Sequence, residues 1–254
     1  MSEPSRATLG GAVAATVAAA GALAYTEVAL PAQPLVSDYA LVPGGTIPVL
    51  GGMLALAVAC VFLAYGLAQR EPSRSAAARV LLVAAAGGLM LGAVFPTDPA
   101  ASEISSMAGE IHRWASAVVF TALPVAGWTL ARDASVPRRR SGPHGSGASR
   151  WNAVRAVSVT SALVLAAFLA AHPASFLSPL IGGDAYYGLL ERGLVVSEIA
   201  LVALMAVAAA RRERTAVPDN ASSLTSSPAE PTLPEPVVPR VPETGRDRGG
   251  SVAA

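Results

Sequence analysis

The chain has 254 residues, 53% hydrophobic and only 14% charged, with a formal net charge of +1 and a mean hydropathy of +0.51. An ordinary soluble domain is about 25% charged, so the composition argues against a soluble globular protein, and near-neutrality leaves no electrostatic footprint for nucleic acid. The single cysteine, Cys60, excludes an internal disulfide framework and a cysteine-based metal site.

A bilayer core of about 30 Å takes about 20 apolar residues of helix. Six stretches meet that length: 7–30, 48–68, 76–95, 111–131, 154–171 and 188–210. Proline, arginine or a polar loop bounds each one. Strand alternation is absent, and a helix satisfies its own backbone groups where lipid cannot. The predicted fold is therefore all-α, a bundle of six transmembrane helices in one domain over 1–214. Ala22-Leu23-Ala24 in the first stretch looks like a small-residue cleavage site, but the run is longer than a signal h-region of about 7–15 residues. It is read as a helix; cleavage would leave five helices in an unchanged orientation.

All eighteen basic residues are arginine, and sixteen fall on one side of this arrangement. Arg6 precedes the first stretch. Arg70, Arg74 and Arg79 join the second and third, and Arg132 to Arg155 join the fourth and fifth. Arg211 to Arg248 follow the sixth. Only Arg113 and Arg192 remain for the other side. Arginine-rich loops stay cytoplasmic, which predicts both termini inside a bacterial inner membrane, as an even helix count requires. The stretch 132–150, with Pro137-Arg138-Arg139-Arg140 followed by Gly- and Ser-rich sequence, is expected to be a flexible cytoplasmic loop. The segment 215–254, rich in proline, serine, threonine and acids, is expected to be a disordered cytoplasmic tail.

The outer boundary carries the chemistry-bearing residues. Eight acids fall there: Glu27, Asp38, Asp98, Glu103, Glu110, Asp184, Glu191 and Glu198. His112, His172 and the two remaining arginines join them. Glu198 lies about 10 Å inside the sixth helix, counting from Arg192 at 1.5 Å per residue. An ionised acid near the bilayer centre costs about 2.5–3.5 kcal/mol on insertion scales, so such a residue faces a partner or a wet cavity. Glu191, seven residues earlier, shares its helix face. The pair is read either as a proton, cation or headgroup site, or as acids held by ion pairs or hydrogen bonds to neighbouring helices. Glu27 and Glu198 are candidates for neutralising pairs with Arg113 and Arg192, and the sequence assigns none of these pairs.

Other signals are weaker. His112 and His172 sit at the same outer level, yet both are near helix ends and there is no His-x-x-x-His or Cys-x-x-Cys-His, so no haem, zinc or other cofactor is expected. Ser116 shares the His112 face, but no Gly-x-Ser-x-Gly elbow accompanies it. Gly88 and Gly92 form a Gly-x-x-x-Gly suited to close helix packing. Pro124 predicts a kink within the fourth helix. Trp114, Trp128 and Trp151 read as interfacial anchors.

Four short motifs stand in order at the outer boundary: Ser37-Asp38-Tyr39, Phe95-Pro96-Thr97-Asp98, Gly109-Glu110-Ile111-His112 and Gly188-Leu189-Leu190-Glu191-Arg192. In this order and helix context the chain resembles the bacterial and archaeal integral membrane family catalogued as domain of unknown function 998, over about 7–212. The resemblance implies six membrane helices and highlights Asp38, Asp98, His112 and Arg192; it implies no activity.

The resulting expectation is a non-enzymatic integral membrane protein, in contact with the lipid bilayer, whose outward-facing polar pocket takes a lipid headgroup, ion or small polar ligand. The candidate binding residues are Glu27, Asp38, Asp98, Glu110, His112, Arg113, Glu191, Arg192 and Glu198. An intramembrane enzyme using the same cluster, with His112 and Glu198 in acid–base or metal roles, is the alternative. A proton-coupled transporter with Glu198 as carrier is a further one, although no internal repeat supports it.

Overall fold

A computed structural model describes residues 3–99, 106–134, 146–172 and 175–211. Among these residues every regular element is helical. Helix α1 spans Glu3–Ala29, α2 Thr46–Arg70, α3 Ala76–Val94, α4 Met107–Ala134, α5 Ser146–Ala171, α6 Ser178–Ile181 and α7 Tyr187–Arg211. All but the four-residue α6 are long and apolar enough to cross a membrane. These are the six expected stretches. Short 3₁₀ turns at Ser37–Leu41 and Gly183–Ala185, together with α6, lie in the connections and carry no periodic signal.

Helix ends depart from the expected limits. Helix occupies both ends of the stretch expected as a loop over 132–150, since α4 runs to Ala134 and α5 begins at Ser146. Apolar content marks where a helix enters hydrocarbon. The backbone continues beyond that point, because each further turn satisfies its own hydrogen bonds. Residues 135–145, the Arg138–Arg140 cluster among them, lie outside the described residues, as does the expected tail.

Each long helix packs on its neighbour in sequence, and α7 returns to α1 to close a ring. Helix α7 also touches α2 and α4, which makes it the element common to both sides of the bundle. Cys60, Leu63, Leu82, Leu123, Leu201 and Met205 form the centre of the core and are fully buried. Pro124 is buried within α4, which runs on through it.

The small residues let backbones approach. A Cβ on Gly88 would stand 2.8 Å from the Ala115 carbonyl oxygen and 2.9 Å from Val119 Cγ2, both on α4. A Cβ on the adjacent Gly87 would meet nothing within 4 Å. Overpacking a tight interface costs about 1–3 kcal/mol. Gly88→Leu is therefore expected to lower thermal stability in detergent by about that amount, while Gly87→Leu leaves the melting temperature nearly unchanged. Equal effects of the two would refute the close α3–α4 seam.

The arginine-bearing end is also organised. Arg70 donates to the Ala209 carbonyl, Arg79 to the Pro72 carbonyl and Arg155 to the Ala131 carbonyl. Ala209 and Ala131 lie in the last turns of α7 and α4, whose carbonyls have no partner within the helix. Arg155 also sits over the Trp128 ring, 5.7 Å from its centroid. Trp114 and Trp128 are exposed on the bundle surface, as expected of interfacial anchors. Trp151 is not: it is 8% exposed and packs in the core. The early start of α5 places it inside the helix rather than at a free end.

Candidate functional site

At the opposite end of the bundle, the connection between α1 and α2 is fastened onto α7. Arg192 Nε lies 2.9 Å from Glu27 Oε1. Its Nη1 donates to the Pro34 carbonyl at 2.9 Å and the Gly188 carbonyl at 3.2 Å, and its Nη2 to the Gln33 carbonyl at 2.7 Å. The fork of five donors suits this multiple task. The Tyr39 hydroxyl, fully buried, donates to Glu27 Oε2 at 3.2 Å. On the residue before Arg192, Glu191 Oε2 accepts the Val36 amide at 2.6 Å, with the Ser37 amide adding to it. A side chain on Gly188 would collide with the Pro34 carbonyl, which explains the glycine in Gly188-Leu189-Leu190-Glu191-Arg192. Asp38 Oδ2 accepts the Leu35 amide at 3.3 Å, while its buried Oδ1 has no hydrogen-bond partner among the described residues. Burial raises the Asp38 carboxyl above the usual carboxylate range, against the lowering effects of the Leu35 amide, Arg192 and His112.

A second fastening joins α3 to α4. Asp98 accepts the Ser106 amide at 3.1 Å and its hydroxyl at 2.7 Å. Ser106 in turn accepts the Gly109 amide at 3.0 Å, so it caps α4. A Cβ on Gly109 would run into the Asp98 carboxylate, so the motif Gly109-Glu110-Ile111-His112 and Asp98 belong to one device. His112 Nδ1 lies 3.1 Å from the Gly92 carbonyl and 2.9 Å from the Phe95 carbonyl. Carbonyl oxygens only accept, so Nδ1 carries the proton and Nε2 is left as the variable position.

Between these fastenings lies a cavity of about 490 Å³, to which all six long helices contribute. Leu35, Val36 and Ser37 of the fastened connection line it, with Thr97, Asp98, His112 and Arg113 from the α3–α4 side. His172, Tyr187, Glu191 and Glu198 line it from α5 and α7, over an apolar surface that includes Leu56, Leu89, Phe120, Leu165 and Val195. Tyr187 stacks on Phe168 with ring centroids 4.5 Å apart and meets the His172 ring edge-on at 5.4 Å. Burial holds the His172 imidazolium below its ordinary pKa, and the Arg113 cation pushes it the same way.

Glu198 differs from every other acid of the cluster. It is 1% exposed, lines the cavity, and neither carboxylate oxygen has a hydrogen-bond partner among the described residues. Arg113 also lines the cavity and has no hydrogen-bond or ion-pair partner among the described residues. The sequence left the pairs among Glu27, Glu198, Arg113 and Arg192 unassigned; in the structure Arg192 goes to Glu27, and Arg113 stands at the mouth. Glu110 is exposed and borders a separate groove between α3 and α4, beside Trp114.

Apart from Glu110, the candidate residues divide by contact. Glu27, Asp38 and Arg192 hold the connection whose inner face lines the cavity. Asp98, His112 and Glu191 both fasten and line it. Arg113 and Glu198 line it with their polar groups unspent. Ser116 lines it as well, without a bond to His112. Among the described residues no three of His, Cys, Asp and Glu converge as a metal ion requires. Sequence reasoning missed Ser106, Phe168 and Tyr187, and saw Tyr39 only as part of the motif Ser37-Asp38-Tyr39. Ser106, ahead of a helix start, is the one that a capping signal reveals.

Six long apolar helices around one shared cavity define a polytopic integral membrane protein. The chain belongs to the family described as protein of unknown function, DUF998, whose model matches residues 8–208. No curated protein and no solved structure matches it.

Proposed function

We propose that this protein is a non-enzymatic binding protein of the bacterial inner membrane. Its cavity opens to the non-cytoplasmic side and takes a lipid headgroup, an ion or a small polar ligand. The observation that carries this reading is Glu198, a buried carboxylate without a partner, set in the wall of a cavity large enough for a small molecule. Buried polar groups are normally satisfied, so a buried carboxylate without a partner requires an explanation, and a ligand group that meets it there is one. The sidedness rests on the arginines: of the described residues, Arg70, Arg74, Arg79, Arg132, Arg150 and Arg155 lie at the end away from the cavity. The surrounding acids and His112 are spent on fastening the walls, which favours a receptacle over a catalytic centre. The partners in this reading are the bilayer and the ligand, with no role for nucleic acid.

Native mass spectrometry of the protein released from nanodiscs tests it. The expected result is one specifically retained species of defined mass, lost when Val195→Trp fills the cavity. Bare protein, or the same retained mass in both forms, overturns the reading.

A further inference from the structure

We infer that the cavity takes an elongated zwitterionic molecule, its ammonium end inward on Glu198 and its anionic end at the mouth on Arg113, with an apolar stem between. This deepens the binding reading above and rests on it. Three observations define the shape of the ligand. The first is depth. Helices α4 and α7 both begin at the mouth, and they meet where the Gly127 Cβ position lies 2.9 Å from Leu201 Cδ1. Counting back from that contact puts the Cα levels of Arg113 and Glu198 roughly 16 Å apart along the bundle. Helical side chains lean toward the helix N-terminus, so both lean toward the mouth and the separation persists.

The second observation is charge. Arg113 is a cation and Glu198 an acid, and neither has a hydrogen-bond or ion-pair partner among the described residues. The other acids of the wall cannot serve Arg113: Asp98 is taken up by Ser106, and Glu191 by the Val36 amide. A cation brought by the ligand removes the cost of a buried lone carboxylate. The third observation is the wall between the two charges. Phe120, Leu165, Phe168 and Val195 present carbon, which selects a hydrocarbon stem rather than a sugar or a peptide. Among the described residues no group of three His, Cys, Asp or Glu side chains converges to hold a metal ion. An ethanolamine headgroup, with two carbons between amine and phosphate, is far too short to span the two charges.

The probe is 12-aminododecanoate, whose charged ends stand a comparable distance apart when extended. Binding is measured calorimetrically on the full chain in nanodiscs, with empty nanodiscs subtracted, beside dodecanoate and dodecylammonium. Saturable binding of 12-aminododecanoate is expected. Glu198→Gln, which keeps the side-chain shape, is expected to weaken it and dodecylammonium at least tenfold while leaving dodecanoate unchanged. Arg113→Gln is expected to weaken 12-aminododecanoate and dodecanoate and to spare dodecylammonium. Absence of saturable binding, or equal affinities for the native protein and Glu198→Gln, overturns the inference. Where that occurs while Val195→Trp still removes a retained species in native mass spectrometry, the binding reading survives and only the ligand class falls.

Discussion

Glu198→Leu is expected to stabilise the ligand-free protein. The native carboxylate is 1% exposed and both its oxygens lack a partner among the described residues. A charged side chain near the centre of a membrane helix costs about 2.5–3.5 kcal/mol on insertion scales. Leucine has a similar volume and leaves no buried polar atom, so the gain in unfolding free energy should be about 2 kcal/mol once residual solvation in the cavity is allowed for. At this chain length that corresponds to a rise of roughly 5 °C in melting temperature. Thermal denaturation in detergent reads it directly. Glu191→Leu supplies the contrast: it strips the acceptor from the Val36 and Ser37 amides and should destabilise. If both variants lose stability, Glu198 has a structural partner and the idea of a stability cost held for binding fails.

Arg192→Ala is expected to give the largest loss among the outer residues. It removes the Glu27 pair and the hydrogen bonds to the Gln33, Pro34 and Gly188 carbonyls together. Hydrogen bonds to charged groups are worth about 1.5–3 kcal/mol each when buried. The ion pair is 27% and 36% exposed on its two sides, so solvent screening reduces its share. A total of about 3 kcal/mol follows. Arg192→Lys should recover little, because an ammonium cannot reach several acceptors in one plane. Hydrogen exchange across residues 31–45 separates this from a general loss of stability. The Val36 and Ser37 amides should exchange much faster in the variant, while α3 and α4 stay protected. Unchanged exchange in that connection would show that other contacts hold it.

The two predictions point in opposite directions, although sequence analysis placed both residues in one cluster. What separates them is which neighbour each side chain finds. Glu191 meets an amide 155 positions away, and Arg192 a carbonyl 159 positions away. Composition and spacing carry no record of pairings at such separation. The motif Gly188-Leu189-Leu190-Glu191-Arg192 was visible as a pattern, but its purpose was not. Only the close passage of the Pro34 carbonyl over Gly188 explains why glycine stands there. His112 is similar. Its position at a helix start was legible, while the two carbonyls that fix its protonated nitrogen belong to Gly92 in the last turn of α3 and to Phe95 just after it.

By itself the sequence determined the six long helices, the membrane as their solvent, the Gly88 packing position and the depth of Glu198. Each of these is local: apolar length, residue size and the 1.5 Å rise act within one segment and are read from it. The tertiary structure alone decided that Arg192 serves Glu27, that Trp151 is core, and that Arg113 and Glu198 keep their polar groups unspent toward a common cavity. Those outcomes depend on how helices far apart in the chain are brought side by side, and a side chain's chemistry is set by the partner it meets there.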